Sequence, residues 1–317
     1  MAHAPDLRPG LGPVDGPDPD FGTLVGPHLR ELRMHCYRML GSATDAEDVL
    51  QDVLLAAWRA LPQFEGRSSL RTWLYRIATR ACLNTLRAGR RRPAVPVAPF
   101  DVPEPTRRAG ITWLQPCPTD WLETDPTSRR DAHDDVSLAF VAALQLLPPR
   151  QLASVVLCDV LDFSPDEVAG ILGATPLAVK GLLQRGRARL RAPTSTPDGA
   201  APELVAQFAD AFVARDVGAV VRLLTEHAAW SMPPAPHEYR GAADITAFLT
   251  ASWAWHGNSE LSVVPTSANG QPAFGCYLHG VWGGLLVLTP DGDRIGAVTR
   301  FLDDDLWRPF GLPRIHA

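Results

Sequence analysis

The sequence predicts a multidomain chain: two all-α helical domains, the second a helix-turn-helix, followed by an α+β domain. Three observations carry this. Apolar residues recur at helical spacing from about Phe21 to Arg92 and again from about Arg129 to Arg191. The stretch between them holds prolines at 93, 96, 99, 103, 105, 116, 118 and 126, a density that excludes regular helix and favours an extended linker. From Pro202 the texture changes to helices followed by apolar runs of strand length. The expected organisation is a disordered lead over 1–20, a helical domain over 21–92, a Pro-rich linker over 93–127, a helix-turn-helix domain over 128–192, a short linker over 193–201 and the α+β domain over 202–317.

The chain of 317 residues is long enough for two or three separate cores. Five cysteines lie far apart with no CxxC pair, which points to a reducing cytoplasm and argues against disulfide staples. No apolar run approaches the ~18 residues of a membrane span, so a cytoplasmic location without membrane anchoring is expected. No His/Cys cluster of zinc spacing, phosphate loop or nucleophile motif occurs; no cofactor and no enzymatic activity are expected. The net charge of -5 does not mark a nucleic-acid binder, so the distribution of charge has to be followed along the chain.

In the first helical domain, acids crowd the start of one helix: Asp45, Glu47, Asp48 and Asp52, with Thr44 and Glu47 as the expected cap. Val49, Leu50, Val53, Leu54 and Trp58 form its expected buried stripe. The exposed acids serve either helix capping and solvation or a docking surface. Between Gly66 and Arg92 stand eight arginines and no acid, a contact surface for a polyanion. On the helix starting near Ser68, residues Arg76, Arg80, Asn84 and Arg87 share one line, and Leu70, Trp73, Leu74, Ile77 and Ala81 another. Phe64, Ser68, Ser69, Trp73 and Tyr75 near its start could engage an unstacked base; the other reading of Phe64 and Trp73 is core packing.

In the second helical domain, Ser164-Pro165-Asp166-Glu167 combines an N-cap serine, a proline at the first helical position and a reciprocal glutamate. Gly173 permits a tight turn, and Thr175-Pro176 opens a second helix to about Leu190. That helix carries Lys180, Gln184, Arg187 and Arg191 on one face, with Leu182, Leu183 and Leu190 free to face a core, and no acid from Ala174 to Arg191. Long donors on one face suit a helix that enters the major groove; a solvated basic helix in an ordinary bundle is the plainer reading.

The α+β domain reads as helices over 203–214, 216–226 and 242–255, a short Trp230-Ser231-Met232 segment, and strands over 261–266, 273–282, 284–289 and 294–302. Twelve acids against seven arginines over 203–317 exclude a second DNA-contact surface there.

The run starting at Asp45, DAEDVLQDVLLAAWRALPQFEGRSSLRTWLYRIATRACLNTLR, resembles the polymerase-binding and promoter-melting region of extracytoplasmic-function sigma factors. The run starting at Leu147, LPPRQLASVVLCDVLDFSPDEVAGILGATPLAVKGLLQRGRARLR, resembles the helix-turn-helix region of the same family. The resemblance implies a subunit that binds core RNA polymerase and promoter DNA. Asp45, Asp48, Gln51 and Asp52 would dock on the polymerase. Phe64, Arg67, Ser68, Ser69, Trp73, Arg76, Arg80 and Asn84 would hold the opened minus-ten element, and Thr175, Lys180, Gln184, Arg185 and Arg187 would read the minus-thirty-five element. The linker would thread along the polymerase; it is longer than simple members need and holds Trp113 and Trp121, so part of it could be ordered.

The last domain resembles, by its order of elements, the SnoaL-like or NTF2-like cone found behind the helical domains in some of these sigma factors. That implies a pocket, lined by Trp230, Met232, Tyr239, Trp253, Phe274, Tyr277, Trp282 and Phe301. His237, Tyr239, Asp244 and His279 could act there as acid or base. Regulation through docking on a helical domain, with an anti-sigma factor or a small-molecule ligand as possible further partner, is the favoured expectation. The alternatives are a stand-alone ligand-responsive helix-turn-helix regulator and an isomerase or cyclase activity of the last domain.

Overall fold

The computed structural model describes residues 19–88, 100–108, 114–122, 137–190 and 201–316. Residues 1–18 of the lead expected over 1–20, residues 193–200 of the linker expected over 193–201, Trp113, the arginines at 90–92 and the start of the second helical stretch lie outside the described residues. Pro19 and Asp20, expected in the lead, instead open a helix.

Four helices build the first unit: α1 (Pro19–Val25), α2 (Leu29–Leu40), α3 (Ala43–Ala60) and α4 (Leu70–Arg87). From Met34 to Leu40 every residue of α2 is buried, the mark of a helix covered on all sides. Gly41 ends α2 at φ 67°, its N–H bonded to Tyr37, and Ser42 caps α3 by accepting from Asp45 N at 3.1 Å. Ser42 therefore takes the capping role expected of Thr44, one residue after the left-handed glycine that ends α2. A Cβ on Gly41 would lie 2.7 Å from the Gln145 side chain, so this glycine serves the turn and the approach of the second unit.

The second unit holds α5 (Leu138–Leu144), α6 (Pro149–Val155) with a π turn over Val156–Val160, α7 (Pro165–Leu172) and α8 (Pro176–Arg189). Ser164 and Glu167 form the reciprocal capping box. Gly173 turns the chain at φ 58°, and Thr175 accepts from Ala178 N at 3.2 Å to start α8.

In the third unit, helices α9 (Pro202–Val213), α10 (Val217–Arg222) and α11 (Gly241–His256) cover a sheet of β1 (Arg107–Arg108), β2 (Leu224–Met232), β3 (Ala235–Arg240), β4 (Leu261–Ala268), β5 (Gln271–Leu278), β6 (Val281–Asp291) and β7 (Arg294–Phe301). The strand order is β1-β3-β2-β7-β6-β5-β4, with β2 and β7 parallel and the other pairs antiparallel. The helix expected over 216–226 stops at Arg222 because β2 begins two residues later. The strand expected over 273–282 is two strands, split by a turn in which His279 and Gly280 both have positive φ.

The sheet is buried on both faces. Trp230, Phe274, Cys276, Leu286, Leu288 and Val298 pack with the three helices of the same unit. The alternating positions Ala273, Tyr277, Leu285, Val287 and Phe301 join one continuous core with the two helical units. The linker is built into this arrangement, contrary to the extended spacer expected from its prolines. Arg107 and Arg108 add an edge strand to β3, a position where neighbouring prolines cost no ladder bonds. Leu114, Gln115 and Cys117 are buried between the units. Gln115 N donates to Gly41 at 2.8 Å, Asn269 N to Cys117 O at 2.9 Å, and Cys117 N to the Asn269 side chain at 3.0 Å.

Candidate nucleic-acid interface

The line of α4 opposite its buried stripe exposes Arg76, Arg80, Asn84 and Arg87, and Arg87 donates to Asn84 Oδ1 at 3.2 Å. Ahead of this track, Gly66 turns the loop at φ 69°, Arg67 is exposed, and Ser69 caps α4 by accepting from Thr72 N at 3.0 Å. Trp73 belongs to the core instead of the opened strand: it is only 6% exposed and its ring lies 5.1 Å from that of Phe64. Tyr75 is fully buried, and burial and the nearby Glu31 push its hydroxyl pKa upward. Trp73 shares a helix face with Leu74 and Ile77; Tyr75, on the far side of the helix, is buried against His35 and Phe163, each with ring centres 5.0 Å away.

Arg71 departs from the other arginines. Its guanidinium lies 4.4 Å from the Phe163 ring centre and 5.1 Å from that of Tyr75, pairs with Glu31 at 3.1 Å and donates to Leu161 O at 3.3 Å. It binds the helix-turn-helix unit to the first unit. Next to it a cleft of about 440 Å³ opens, with Arg67, Ser69 and Arg76 on one wall and Asp166, Glu167 and Gly170 on the other.

Helix α3 exposes Asp48, Gln51 and Asp52, with Asp45 half-buried at the cap. Leu55 and Trp58 on the same helix are 45% and 42% exposed. Trp58, expected in the buried stripe, therefore stands in solvent, while its neighbour Ala57 is buried and Ala60 packs on the core. Exposed aromatic and aliphatic groups among acids describe a protein-docking surface better than a solvated face does. On α8, Thr175, Lys180, Gln184, Arg185 and Arg187 are all exposed. Arg187 is not free: it forms a two-pronged pair with Asp159 at 2.5 and 3.0 Å, which raises its pKa. Gly186 lets α8 approach α6, since a Cβ there would meet Val155 at 2.6 Å.

In the third unit, a cavity of about 250 Å³ lies between α11 and the inner face of the sheet. Trp230, Met232 and Trp253 line it as expected. Tyr239, Phe274, Tyr277, Trp282 and Phe301 do not. Tyr277, Trp282 and Phe301 alternate onto the outer face, where strand periodicity sends every second side chain. Tyr239 donates to Pro103 O at 3.0 Å. Of the four expected acid or base groups only His237 lines the cavity; Asp244 accepts from Thr106 and His279 sits exposed in a turn. The wall residues Phe100 and Val102, supplied by the linker, and Arg300 were missed. Among the described residues no group of three metal-ligating side chains occurs, and no helix is long and apolar enough to cross a membrane.

Comparison with known proteins identifies the domains. Residues 24–92 match sigma-70 region 2 and residues 137–190 match sigma-70 region 4. The ECF RNA polymerase sigma factor SigG of Mycobacterium tuberculosis is 40% identical over 322 positions, taking in 96% of this chain and 87% of the relative. The chain belongs to the ECF RNA polymerase sigma factors. SigJ of Mycobacterium tuberculosis is a second relative of this sigma factor, 28% identical over 84% of the chain and 85% of the relative. The crystal structure of SigJ superposes with a TM-score of 0.62 at 22% identity, covering 93% of this chain and 99% of that one, and so shares the fold. Residues 205–301 of this sigma factor match a SnoaL-like domain.

Proposed function

We propose that this sigma factor docks on core RNA polymerase through α3, sets α4 on the minus-ten element and α8 on the minus-thirty-five element, and is held by its third unit in a closed form that must open first. The Arg71 latch carries the closed reading. The two promoter elements lie about 25 base pairs apart, roughly 85 Å of duplex at ~3.4 Å per pair. Yet Arg71 of α4 touches Leu161 and Phe163 just ahead of the helix-turn-helix. The two DNA-reading helices cannot serve both elements from that position.

The docking surface on α3 combines Asp48, Gln51 and Asp52 with exposed Leu55 and Trp58, a mixture suited to a partner that is both basic and apolar. The track of Arg76, Arg80 and Asn84 supplies donors to a separated strand. Lys180, Gln184 and Arg185 supply long donors to base edges and phosphates. We read the third unit as regulatory and non-catalytic, because its candidate acid and base groups do not converge and Tyr239 and Asp244 are occupied by the linker.

The test is run-off transcription with purified core polymerase on fragmented genomic DNA, using the full chain and Asn269→Ala. Discrete transcripts that need the chain, and more of them per mole from the variant, are expected. Absence of both transcripts and core binding would leave a stand-alone DNA-binding regulator. Equal output from the two chains would remove the restraint by the third unit.

A further inference from the structure

The cavity of the third unit is apolar on most sides, walled by Phe212, Phe248, Leu249 and Trp253. Two polar atoms break that pattern. Trp230 Nε1 and Arg300 Nε are both buried without a hydrogen-bond partner, and both residues line the cavity. Their positions follow from the strand register. Trp230 of β2 pairs with Val298 of β7, so Arg300, two residues on, shares that face as a diagonal neighbour.

Neither atom can accept a hydrogen bond. Leaving a buried donor unpaired costs the full desolvation of the group, and such atoms are rare enough in folded proteins to need a cause. Arg300 spends one other N–H on Gly283 O at 3.2 Å, and no carboxylate among the described residues pairs with it. His256, also in the wall, has Nδ1 tied to Ser252 O at 2.7 Å. A cation in an apolar room selects an anion, and two unpaired donors on one face of its wall select one with acceptor oxygens.

We infer that the cavity binds a small apolar carboxylic acid, its carboxylate on Arg300 and Trp230 and its body among the aromatic side chains, and that occupancy fastens the interdomain linker. The second part follows from who closes the cavity. Phe100 and Val102 belong to the linker, and Phe100 stacks on Trp255 with ring centres 5.8 Å apart. Just beyond, Pro103 O accepts from Tyr239 and Thr106 Oγ1 accepts from Arg240 N at 2.9 Å. A ligand body under Phe100 and Val102 gains contact only while the linker stays seated, so binding and seating favour each other.

The binding test needs no polymerase, so it can fail independently of the promoter reading. The full chain is titrated with benzoate, 1-naphthoate and decanoate, and with neutral 1-naphthamide, following tryptophan fluorescence and heat. At least one acid should bind, 1-naphthamide more weakly than 1-naphthoate, and Arg300→Gln should weaken the bound acid about tenfold or more. Met232→Trp, which fills the cavity and leaves Arg300 in place, should abolish binding; a thermal melt checks that each variant is folded. No acid binding below about 1 mM, an amide equal to its acid, or full affinity in a folded Arg300→Gln chain would overturn the site. Saturating acid should also slow tryptic cleavage after Arg107 and Arg108 several-fold; an unchanged rate would overturn the coupling to the linker.

Discussion

The side-chain amide of Asn269 donates to the Tyr37 hydroxyl at 2.9 Å, tying a hairpin turn of the third unit to the innermost helix of the first. Tyr37 passes the chain of bonds on to Gln115 O at 3.0 Å, and Gln115 Nε2 reaches Asp303 at 2.6 Å. Asn269 can hold this place because its φ is 54° and Gly270 follows at 71°, the pair a tight hairpin favours. Tyr37→Phe and Asn269→Ala should each cost about 1–3 kcal/mol, since each leaves a buried partner unpaired. The double variant should cost less than the sum, because the two share one bond. Urea unfolding of the four chains measures this, and strict additivity would show that the bond contributes nothing.

Acid should weaken the first helical unit through His35. Burial, then Arg38 and Arg71, lower its pKa from 6.5 to about 3, and Nε2 is engaged with Thr79 at 2.9 Å. The unfolded chain takes up a proton below about pH 6.5 and the folded chain does not until about pH 3. Stability therefore falls as pH drops through that window, by at most about 1.4 kcal/mol per unit from this residue. A His35→Gln chain should show a shallower decline in denaturation midpoint between pH 6.5 and 4.5; an unaltered slope would exclude His35 as the source.

Arg76→Ala, Arg80→Ala and Asn84→Ala combined should remove promoter opening while core binding stays within about twofold. Permanganate footprinting reports the opening and a gel shift with core polymerase reports the binding. Retained opening would show that the exposed line of α4 does not meet the separated strand.

On α8, Lys180→Ala should lower affinity evenly across promoter sequences and reduce the salt slope by about one unit, as for a phosphate contact. Gln184→Ala should instead relax preference at one base pair by about 1–3 kcal/mol. Binding by the sigma factor with core polymerase, measured on a library of minus-thirty-five sequences at several salt concentrations, separates the two. Equal effects from both would mean neither side chain reads a base.

Much of this was legible before any coordinates. The capping box at Ser164 and Glu167, the turn at Gly173 and the start at Thr175 depend on residues within one helical turn, and local chemistry decides them. The same holds for the exposed basic line of α4. What the pattern could not say was where the exposed faces meet. Arg71 counts as one of eight arginines in sequence, but an aromatic ring 92 positions away draws it out of the DNA-facing set. Tyr277 and Phe301 look like pocket aromatics, yet one residue of register sends them outward. A signal was present: β5 and β6 read as nearly unbroken apolar runs, the texture of a sheet covered on both sides. The linker's prolines likewise excluded a central strand without excluding an edge.

The seating of the linker on the sheet also sets how far the protein can stretch. Between Arg87 and Leu138 the backbone, fully drawn out at ~3.3 Å per residue, would far exceed the roughly 85 Å between promoter elements. Arg107 and Arg108, stitched to β3, and Cys117, clasped by Asn269, fix two points of that stretch on the third unit. On the proposed reading the third unit would act as a reel: releasing those two points would lengthen the tether, and the length released would decide whether one molecule can span both ends of a promoter.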